Sequence, residues 1–380
     1  MRAASSSSGG AIGRMRFGAA FLTLTFLLLA ACANPGPRLA RERQKAVQTR
    51  EIINEALPGA ISDRAGWSAD IAVAFTKLSI PPTRENACAV VAVIAQESGF
   101  RVEPVTPNLG RIALHALDER AAHAGIPVAL VHAALELRSS DGRTYLQRVK
   151  AARTERQLSD IYEDFTGRVP LGRRLFASWN PIRTRGPMQV SVVFAERFDK
   201  EKPYPYHDRR RDLREELFSR RASIYFGTAH LLDYPASYDR YLFRFADYNA
   251  GQYASRNAAF QRAASIAAGL PLKADGALLA GDPGAEGAGS TERLLAALSG
   301  RLRLSKTDIH AALAQSDSQS FEGTQLYRRV FALADRKSGR RLPRAVLPQI
   351  RLGGPKIERP LTTSWYARRV NERFESCLHR

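Results

Sequence analysis

Glu97 lies in a sequence setting that suits acid–base chemistry. The segment Pro81-Pro82-Thr83 interrupts the chain and offers Thr83 as a helix N-cap, and residues 87–95 are then apolar on every face. This pattern predicts a helix that is buried all round and that ends at Gly99. Burial and the negative end of the helix dipole both disfavour a charged carboxylate, so we expect a raised pKa for Glu97. Such a group can act as a general acid, although a glutamate before a helix-ending glycine can also be a solvated end residue.

Later motifs supply side chains that could bind a polar ligand. Residues 186–190 read Gly-Pro-Met-Gln-Val and open a helical pattern, and residues 245–251 read Phe-Ala-Asp-Tyr-Asn-Ala-Gly and close another. A partial motif at residues 224–232 lies between them, and residues 324–330 read Thr-Gln-Leu-Tyr-Arg-Arg-Val. Their amide and hydroxyl groups can donate and accept hydrogen bonds.

Together with the Glu97-Ser98 pair, these motifs resemble those of the lytic transglycosylases in the lysozyme-like superfamily, which also includes goose-type lysozyme. That family has a Glu-Ser pair at the end of a buried helix, then Gly-Leu-Met-Gln, then Ala-Tyr-Asn-Ala-Gly, in the order found here. The resemblance covers about residues 67–331. The Gly-Pro-Met-Gln form is also similar to an uncharacterised family of proteobacterial lipoproteins. The resemblance implies a mainly α, lysozyme-like helical domain.

The resemblance also implies a reaction. In that family the glutamate protonates the glycosidic oxygen between N-acetylmuramic acid and N-acetylglucosamine. The muramyl 6-hydroxyl then attacks its own anomeric carbon and leaves a 1,6-anhydro end, and the same glutamate accepts the proton of that hydroxyl. Glu97 would hold this role, with no second carboxylate as nucleophile, unlike the two-carboxylate glycosidases. The expected partner is the glycan strand of peptidoglycan.

By position, the resemblance implies substrate-binding roles for six further residues: Ser98, Met188, Gln189, Tyr248, Asn249 and Tyr327. Tyr248 would lie near the carboxyl group of Glu97. Ser98 could instead stabilise the helix end, and Met188 and Tyr248 could instead be buried in the core. Tyr366 competes with Tyr327 for the place of the late tyrosine.

Two departures from the family pattern affect the expected pocket. Pro187 replaces the usual leucine, which fixes φ and removes a backbone donor. Asp247 replaces a small residue, and if it points inward it could raise the pKa of Glu97 or act as a base for water. The segment between the first two motifs is also long, and much of residues 101–180 is predicted to form extra helices that shape or cover the groove.

No cofactor and no metal is expected. His115, His123 and His132 are eight and nine residues apart and lack the i, i+4 spacing of a helical metal pair. Neither a glycine-rich phosphate loop nor a Ser-His-Asp set occurs in a suitable context.

The elements that must position these residues are mainly helical. Helical periodicity dominates residues 67–335, a flexible loop rich in Gly, Ala, Asp and Pro is predicted at about residues 269–290, and a basic extension follows at 336–380. Convincing alternating strands and repeats of fixed period are not found.

The N-terminal region has the features of an export signal. Arg14 and Arg16 precede an apolar run, and residues 29–32 read Leu-Ala-Ala-Cys, similar to the lipobox of bacterial lipoproteins. Residues 1–31 are therefore predicted to be a signal peptide, Cys32 the lipidated residue and residues 32–66 a tether with some helical content. A short membrane anchor with an incidental cysteine is the alternative.

Cys88 and Cys377 remain as a pair in an oxidising compartment, where they could form a disulfide bond or stay as two buried thiols. A disulfide would tie the C-terminal segment to the segment that carries Glu97.

The net charge of +20 suits an anionic partner. Export argues against nucleic acid, whereas peptidoglycan and an anionic membrane surface both fit. We therefore expect a cell-envelope protein that is anchored by lipid at Cys32, in the outer membrane and facing the periplasm. Protein partners are not indicated.

Two functional alternatives stay open from sequence alone. A muramidase would use water in place of the internal hydroxyl, and a non-catalytic envelope protein would only bind glycan through the same groove. A basic nucleic-acid binder is supported by charge alone.

Overall fold

The computed structural model describes residues 36–168, 180, 182–206, 212–279, 289–353 and 359–380. The predicted signal peptide, Cys32 and part of the 269–290 loop lie outside the described residues. The chain divides into two compact units, Met1–Glu51 and Ile52–Arg380. The described part of the first unit is helical and largely exposed.

The structure is mainly helical, in agreement with the sequence-based prediction. The α-helices among the described residues are α1 (Pro37–Ala56), α2 (Arg64–Leu78), α3 (Arg84–Glu97), α4 (Leu109–His123), α5 (Val128–Leu135), α6 (Tyr145–Ala151), α7 (Glu155–Arg168), α8 (Val192–Glu201), α9 (Leu213–Glu216), α10 (Arg220–Leu232), α11 (Tyr241–Ala250), α12 (Ala254–Ala268), α13 (Ser290–Ala297), α14 (Ser299–Leu302), α15 (Lys306–Leu313), α16 (Gln325–Ser338) and α17 (Thr363–Leu378). A 3-10 turn spans Gln319–Gly323. None of the helices within the described ranges is long and apolar enough to cross a membrane.

The only strands in the described part of the chain form a short antiparallel hairpin. Strand β1 (Thr184–Arg185) pairs with β2 (Val190–Ser191), in the register Thr184 with Ser191 and Arg185 with Val190. The hairpin brings the Gly-Pro-Met-Gln motif to its turn.

Helix α3 forms the centre of the main hydrophobic core. Its N-cap is Thr83, whose hydroxyl accepts a hydrogen bond from the backbone of Asn86 at 3.2 Å, as the sequence predicts. All residues from Ala87 to Ile94 are buried. A helix buried on every face must be covered by neighbours on every side, and this explains its continuous apolar sequence.

Helix α17 packs against both α3 and α11. Its buried residues recur at helical spacing and include Tyr366, Val370 and Phe374. The ring of Phe374 lies 4.8 Å from that of Tyr241 in α11, centroid to centroid. Cys377 forms a disulfide bond with Cys88 in α3. Residues 363–378 therefore belong to the main core, although the sequence placed them in a C-terminal extension.

Two smaller clusters lie beside the main core. One is built by α12–α16 around residues such as Phe260, Leu295 and Phe331. The other is built largely by α4–α7 around Leu109, Tyr145 and Leu158. The long segment between the first two motifs therefore has its own apolar core, which gives its helices a fixed arrangement.

Candidate active site

Glu97 is the last residue of α3, and the chain turns sharply after it. The backbone N–H groups of Ser98 and Gly99 both donate to the carbonyl of Ile94, at 3.0 and 3.2 Å. Gly99 and Phe100 then have φ of +57° and +62°, a left-handed conformation that favours glycine at the first position. The ring of Phe100 packs edge-on against Trp67 at 5.3 Å. These contacts fix the helix end and with it the backbone of Glu97.

The environment of Glu97 favours its protonated form. The side chain is partly buried, and burial is the largest cause that raises its pKa, from 4.5 to about 7. The hydroxyl group of Tyr366 donates to Oε1 of Glu97 and opposes this rise, while the negative charge of Glu155 adds to it. Close to neutral pH, a large fraction of Glu97 therefore carries a proton that it can donate.

Two arginines hold the residues on either side of Glu97. Arg373 on α17 donates from Nε to the side-chain oxygen of Gln96 at 3.1 Å, and Arg101 donates from Nε to the carbonyl of Ser98 at 3.3 Å. The carboxyl group of Glu97 itself accepts its hydrogen bond from the hydroxyl group of Tyr366.

The Gly-Pro-Met-Gln motif forms the turn of the β-hairpin. The N–H of Gln189 donates to the carbonyl of Gly186 at 2.9 Å, which closes a four-residue turn with Pro187 at its second position. Proline suits that position, so this departure from the family pattern is compatible with the turn. Gly186 has φ of +72°, and a Cβ there would lie 2.3 Å from the carbonyl oxygen of Leu217. Only glycine fits this position.

Met188 lies in the core, whereas a substrate-binding role would require an exposed side chain. Its side chain is 0 % exposed and packs over Gly227, where a Cβ would come within 2.5 Å of Sδ. Its N–H donates to the hydroxyl of Ser223 at 2.9 Å, and its carbonyl accepts from the hydroxyl of Tyr248 at 2.6 Å. Gly227 belongs to the partial motif in α10, and its lack of a side chain leaves space for Met188.

Tyr248 lies close enough to Glu97 for the charge of that carboxylate to raise its pKa, although burial is the larger cause. Its hydroxyl group binds the carbonyl of Met188 and not the carboxyl group, so Tyr248 joins α11 to the hairpin turn. Its own carbonyl accepts from Nε2 of His230 at 3.1 Å. Burial lowers the pKa of His230 to about 4, and this histidine is therefore neutral near pH 7.

Gln189 connects the hairpin to the segment between the first two motifs. Its Nε2 donates to Oε2 of Glu155 at 3.0 Å, and its Oε1 accepts from the hydroxyl of Thr184 at 2.8 Å. Glu155 is the first residue of α7 and is partly buried. A second carboxylate therefore lies in the surroundings of Glu97, which the family resemblance does not predict.

Asn249 and Ser98 differ in how far a ligand could reach them. Asn249 is exposed at the end of α11, and its Oδ1 accepts from the hydroxyl of Thr363 at 2.8 Å. Ser98 is 5 % exposed, and its hydroxyl donates back to the carbonyl of Ile94 at 3.1 Å. Ser98 therefore stabilises the helix end and does not face a ligand.

Tyr366, not Tyr327, is the late tyrosine that reaches Glu97. Tyr327 is packed in the cluster of α12–α16, with ring centroids 5.4 Å from Phe321 and 4.7 Å from Phe331. Its buried hydroxyl group finds no hydrogen-bond partner among the described residues. The aromatic ring of Tyr327 fills a site in this apolar cluster, so packing accounts for a tyrosine at this position.

Asp247 serves the fold and not the site. It is 0 % exposed and accepts hydrogen bonds from the hydroxyls of Tyr234, at 3.0 Å, and Tyr238, and from the N–H of Ser255 at 2.6 Å. The last contact caps the start of α12. Asp247 is not among the groups that shift the pKa of Glu97, so this departure from the family pattern does not disturb the acid.

A cleft of about 400 Å³ lies at the other end of α3 and is lined by residues that include Asn86, Tyr241 and Arg244. At 1.5 Å per helical residue, roughly 16 Å separates Asn86 from Glu97 along α3. The chemistry of Glu97, and not this cleft, therefore defines the candidate site. No group of three or more His, Cys, Asp or Glu that could bind a metal occurs within the described ranges.

Fold and site together define a mainly helical protein in which a proton-retaining glutamate lies beside a buried tyrosine and a glutamine-bearing turn. The chain belongs to the family described as Protein of unknown function (DUF1615), whose model matches residues 60–380. It is 44 % identical over 355 residues to a protein from Escherichia coli (strain K12) named Uncharacterized protein YaiW, an alignment that covers 93 % of this chain and 96 % of that relative. No solved structure matches the chain.

Proposed function

We propose that this protein is a lytic transglycosylase with a lysozyme-like core, which cleaves peptidoglycan between N-acetylmuramic acid and N-acetylglucosamine. The observation that carries the proposal is the state of Glu97, a partly buried carboxyl group with a pKa raised to about 7. A general acid needs a pKa near the working pH, so that it holds a proton and can still release it in the transition state.

In the proposed reaction, Glu97 donates its proton to the glycosidic oxygen as the bond to the anomeric carbon breaks. The muramyl 6-hydroxyl attacks that carbon, and the product carries a 1,6-anhydro end. Tyr366 would keep the carboxyl group oriented through its hydrogen bond. Gln189 and the exposed Asn249 would bind acetamido or hydroxyl groups of the glycan.

The turn that carries Gln189 supports this assignment. Gly186 and Pro187 fit their backbone positions, and Tyr248 ties the turn to α11 near Glu97. A fixed arrangement of this kind is what a site needs to hold substrate in reactive geometry.

We also propose that the protein acts at the cell envelope. The basic and apolar residues before Leu-Ala-Ala-Cys at 29–32 favour export and lipidation at Cys32, and the absence of aspartate at position 33 favours the outer membrane. Such an anchor would hold the site next to peptidoglycan on the periplasmic side. Metabolic labelling with a palmitate analogue tests this part, and we expect Cys32→Ala to lose the label.

The central experiment incubates the purified full chain with isolated peptidoglycan and identifies the released muropeptides by mass spectrometry. We expect products with anhydro ends, which lack one water, and no release by Glu97→Gln. Glu103→Gln is the matched control, because Glu103 pairs with Arg156 at 2.8 Å and is not among the groups that shift the pKa of Glu97.

Three results would contradict this proposal in different ways. Reducing ends in place of anhydro ends would mean that water attacks and that the protein is a muramidase. Equal binding of peptidoglycan by the parent chain and Glu97→Gln, with release by neither, would mean that it only binds glycan. Release that persists in Glu97→Gln would remove Glu97 from the reaction.

A further inference from the structure

The cleft of about 400 Å³ at the start of α3 is separate from the candidate active site. Its walls come from the segment before α3, from the loop at residues 233–240 that follows α10, and from the first turn of α11. A volume of this size suits a small organic ligand. Roughly 16 Å of buried helix lies between Asn86 in the cleft and Glu97 at the other end of α3, so one small ligand does not reach both.

Two hydrogen-bonding side chains join α3 to α11 at the cleft. The hydroxyl group of Tyr241 donates to Oδ1 of Asn86 at 2.7 Å, and Nδ2 of Asn86 donates to the carbonyl of Pro81 at 2.9 Å. The phenolic oxygen of Tyr241 can accept a hydrogen bond while it donates this one. The cleft therefore contains a fixed polar group that a ligand can use.

The loop at residues 233–240 is held in place by bonds to its neighbours. The hydroxyl group of Ser237 donates to Oε1 of Glu322 at 3.0 Å, and the hydroxyl group of Tyr238 donates to the buried Asp247. Ser237 and Tyr238 both line the cleft. The wall is therefore formed before any ligand arrives, which lowers the entropic cost of binding.

Arg244 supplies a positive charge to the cleft. It is half-buried, its Nη1 lies 3.4 Å from the carbonyls of Leu231 and Tyr234, and its guanidinium group lies over the ring of Tyr234 at 4.8 Å. These partners are all neutral, and no carboxylate within the described ranges forms an ion pair with Arg244. Its charge opposes the rise that burial causes in the pKa of Tyr241. A guanidinium group in this setting suits a ligand carboxylate, which it can bind through paired N–H donors.

Asp239 places a negative charge in the same cleft. Its side chain is exposed, and Glu85 at the start of α3 adds a second negative charge that acts on Tyr241. A simple anion would meet repulsion from these carboxylates, and a simple cation would meet repulsion from Arg244. A molecule that carries both charges can match each group with its opposite.

We propose that this cleft is a second binding site, which takes an amino acid or a dipeptide with its carboxylate on Arg244 and its ammonium group on Asp239. The buried side chains of Ile80 and Leu232 would contact an apolar side chain of the ligand. The inference does not depend on the proposed reaction, because the cleft lies at the opposite end of α3 from Glu97.

The test measures the binding of four probes to the purified full chain by saturation-transfer NMR. Alanine and alanyl-alanine carry both charges, whereas acetate and ethylammonium carry one charge each. We expect saturable binding of at least one of the two zwitterions. The single-charge probes should bind about tenfold more weakly or less, since each lacks one hydrogen-bonded charge.

Two variants remove the charges of the cleft one at a time. Arg244→Gln and Asp239→Asn should each weaken binding of the zwitterion about tenfold or more. Arg328→Gln is the matched control, because Arg328 is an exposed arginine on α16 and does not line the cleft. Glu97→Gln should also bind as the parent chain does. Urea unfolding checks each variant, and Asp239→Asn remains decisive if Arg244→Gln is destabilised, because Asp239 is exposed.

Three results would overturn the inference. The first is that neither zwitterion binds saturably. The second is that acetate binds as tightly as alanine, which would leave Asp239 without a role. The third is that binding survives Asp239→Asn and Arg244→Gln or is abolished by Glu97→Gln, which would place the ligand elsewhere. Muropeptide release and its loss in Glu97→Gln test the proposed function separately, so either proposal can fail while the other stands.

Discussion

The hydroxyl group of Tyr366 donates a hydrogen bond to Oε1 of Glu97, across a sequence separation of 269 residues. Tyr366 lies on the buried face of α17, and Glu97 ends α3. The donated hydrogen bond favours the ionised carboxylate, whereas burial favours the protonated form. The pKa of Glu97 is therefore set by two opposing effects, one from the fold around it and one from a single hydroxyl group.

Removal of that hydroxyl group should change the pH dependence of activity. In Tyr366→Phe, the pKa of Glu97 should rise further, because burial is no longer opposed, and the alkaline decline of the pH–rate profile should move to higher pH. The rate should fall about tenfold, in line with loss of a hydrogen bond to a charged group. Tyr327→Phe is the matched control and should leave rate and profile unchanged. Equal losses in the two variants would show that Tyr366 acts only through packing.

The buried carboxyl group should also make stability depend on pH, whatever reaction the protein catalyses. The pKa of Glu97 in the folded state, about 7, exceeds its ordinary value of 4.5. Its contribution to stability is therefore present below pH 4.5 and is lost as pH rises through 7. Relative to Glu97→Gln, the parent chain should lose about 2–3 kcal/mol of unfolding free energy between pH 4.5 and pH 8. Urea unfolding of both proteins at each pH measures this difference, and a difference that does not grow with pH would contradict the raised pKa.

Loss of the disulfide bond should destabilise the protein strongly. Cys88 and Cys377 are 289 positions apart, and in the chain-entropy model the closure of so long a loop stabilises the folded state by about 5 kcal/mol. We expect the double variant Cys88→Ala, Cys377→Ala to unfold at a much lower urea concentration than the oxidised parent chain. Reduction of the parent should reproduce most of the shift. An unchanged midpoint would mean that packing of α17 alone fixes its position.

Gly227 should tolerate no side chain while Met188 keeps its place. A Cβ at Gly227 would lie 2.5 Å from Sδ of Met188, so Gly227→Ala should cost roughly 1–3 kcal/mol through overpacking. Because Met188 is part of the hairpin turn, muropeptide release should fall as well. Gly323→Ala is the control, since a Cβ there meets nothing within 4 Å. Equal stability of both variants, measured by thermal unfolding, would contradict the close approach of Met188.

Local signals in the sequence were sufficient to predict several helices and their ends. Thr83 caps α3 as expected, because an N-cap depends on a hydroxyl group three residues from its backbone partner. The continuous apolar run of α3 likewise predicted burial on every face.

The composition of the site depended on contacts that sequence spacing does not encode. Two tyrosines competed for one role, and only the packing of α17 on α3 selects Tyr366 over Tyr327. No sequence pattern indicated a role for Glu155, because it begins an ordinary helix. Only its hydrogen bond with Gln189 places it near the site. The sequence left open whether Asp247 points into the site, because its position in the motif does not determine the direction of its side chain.

Met188 and Ser98 illustrate a further limit. Both occupy motif positions beside candidate site residues, yet both side chains are buried in the protein. A small residue 39 positions later, Gly227, creates the space for Met188. The Gly-Pro-Met-Gln motif at this turn therefore reflects a packing requirement.

The dependence of α3 on α17 has a consequence for synthesis of the protein. Tyr366 is added 269 residues after Glu97, which at roughly 5–20 residues per second takes on the order of 15–50 s. Throughout that interval, the side of α3 that α17 covers in the folded protein has no neighbour to bury its apolar residues. A nascent chain in this state exposes an apolar surface of the kind that chaperones bind.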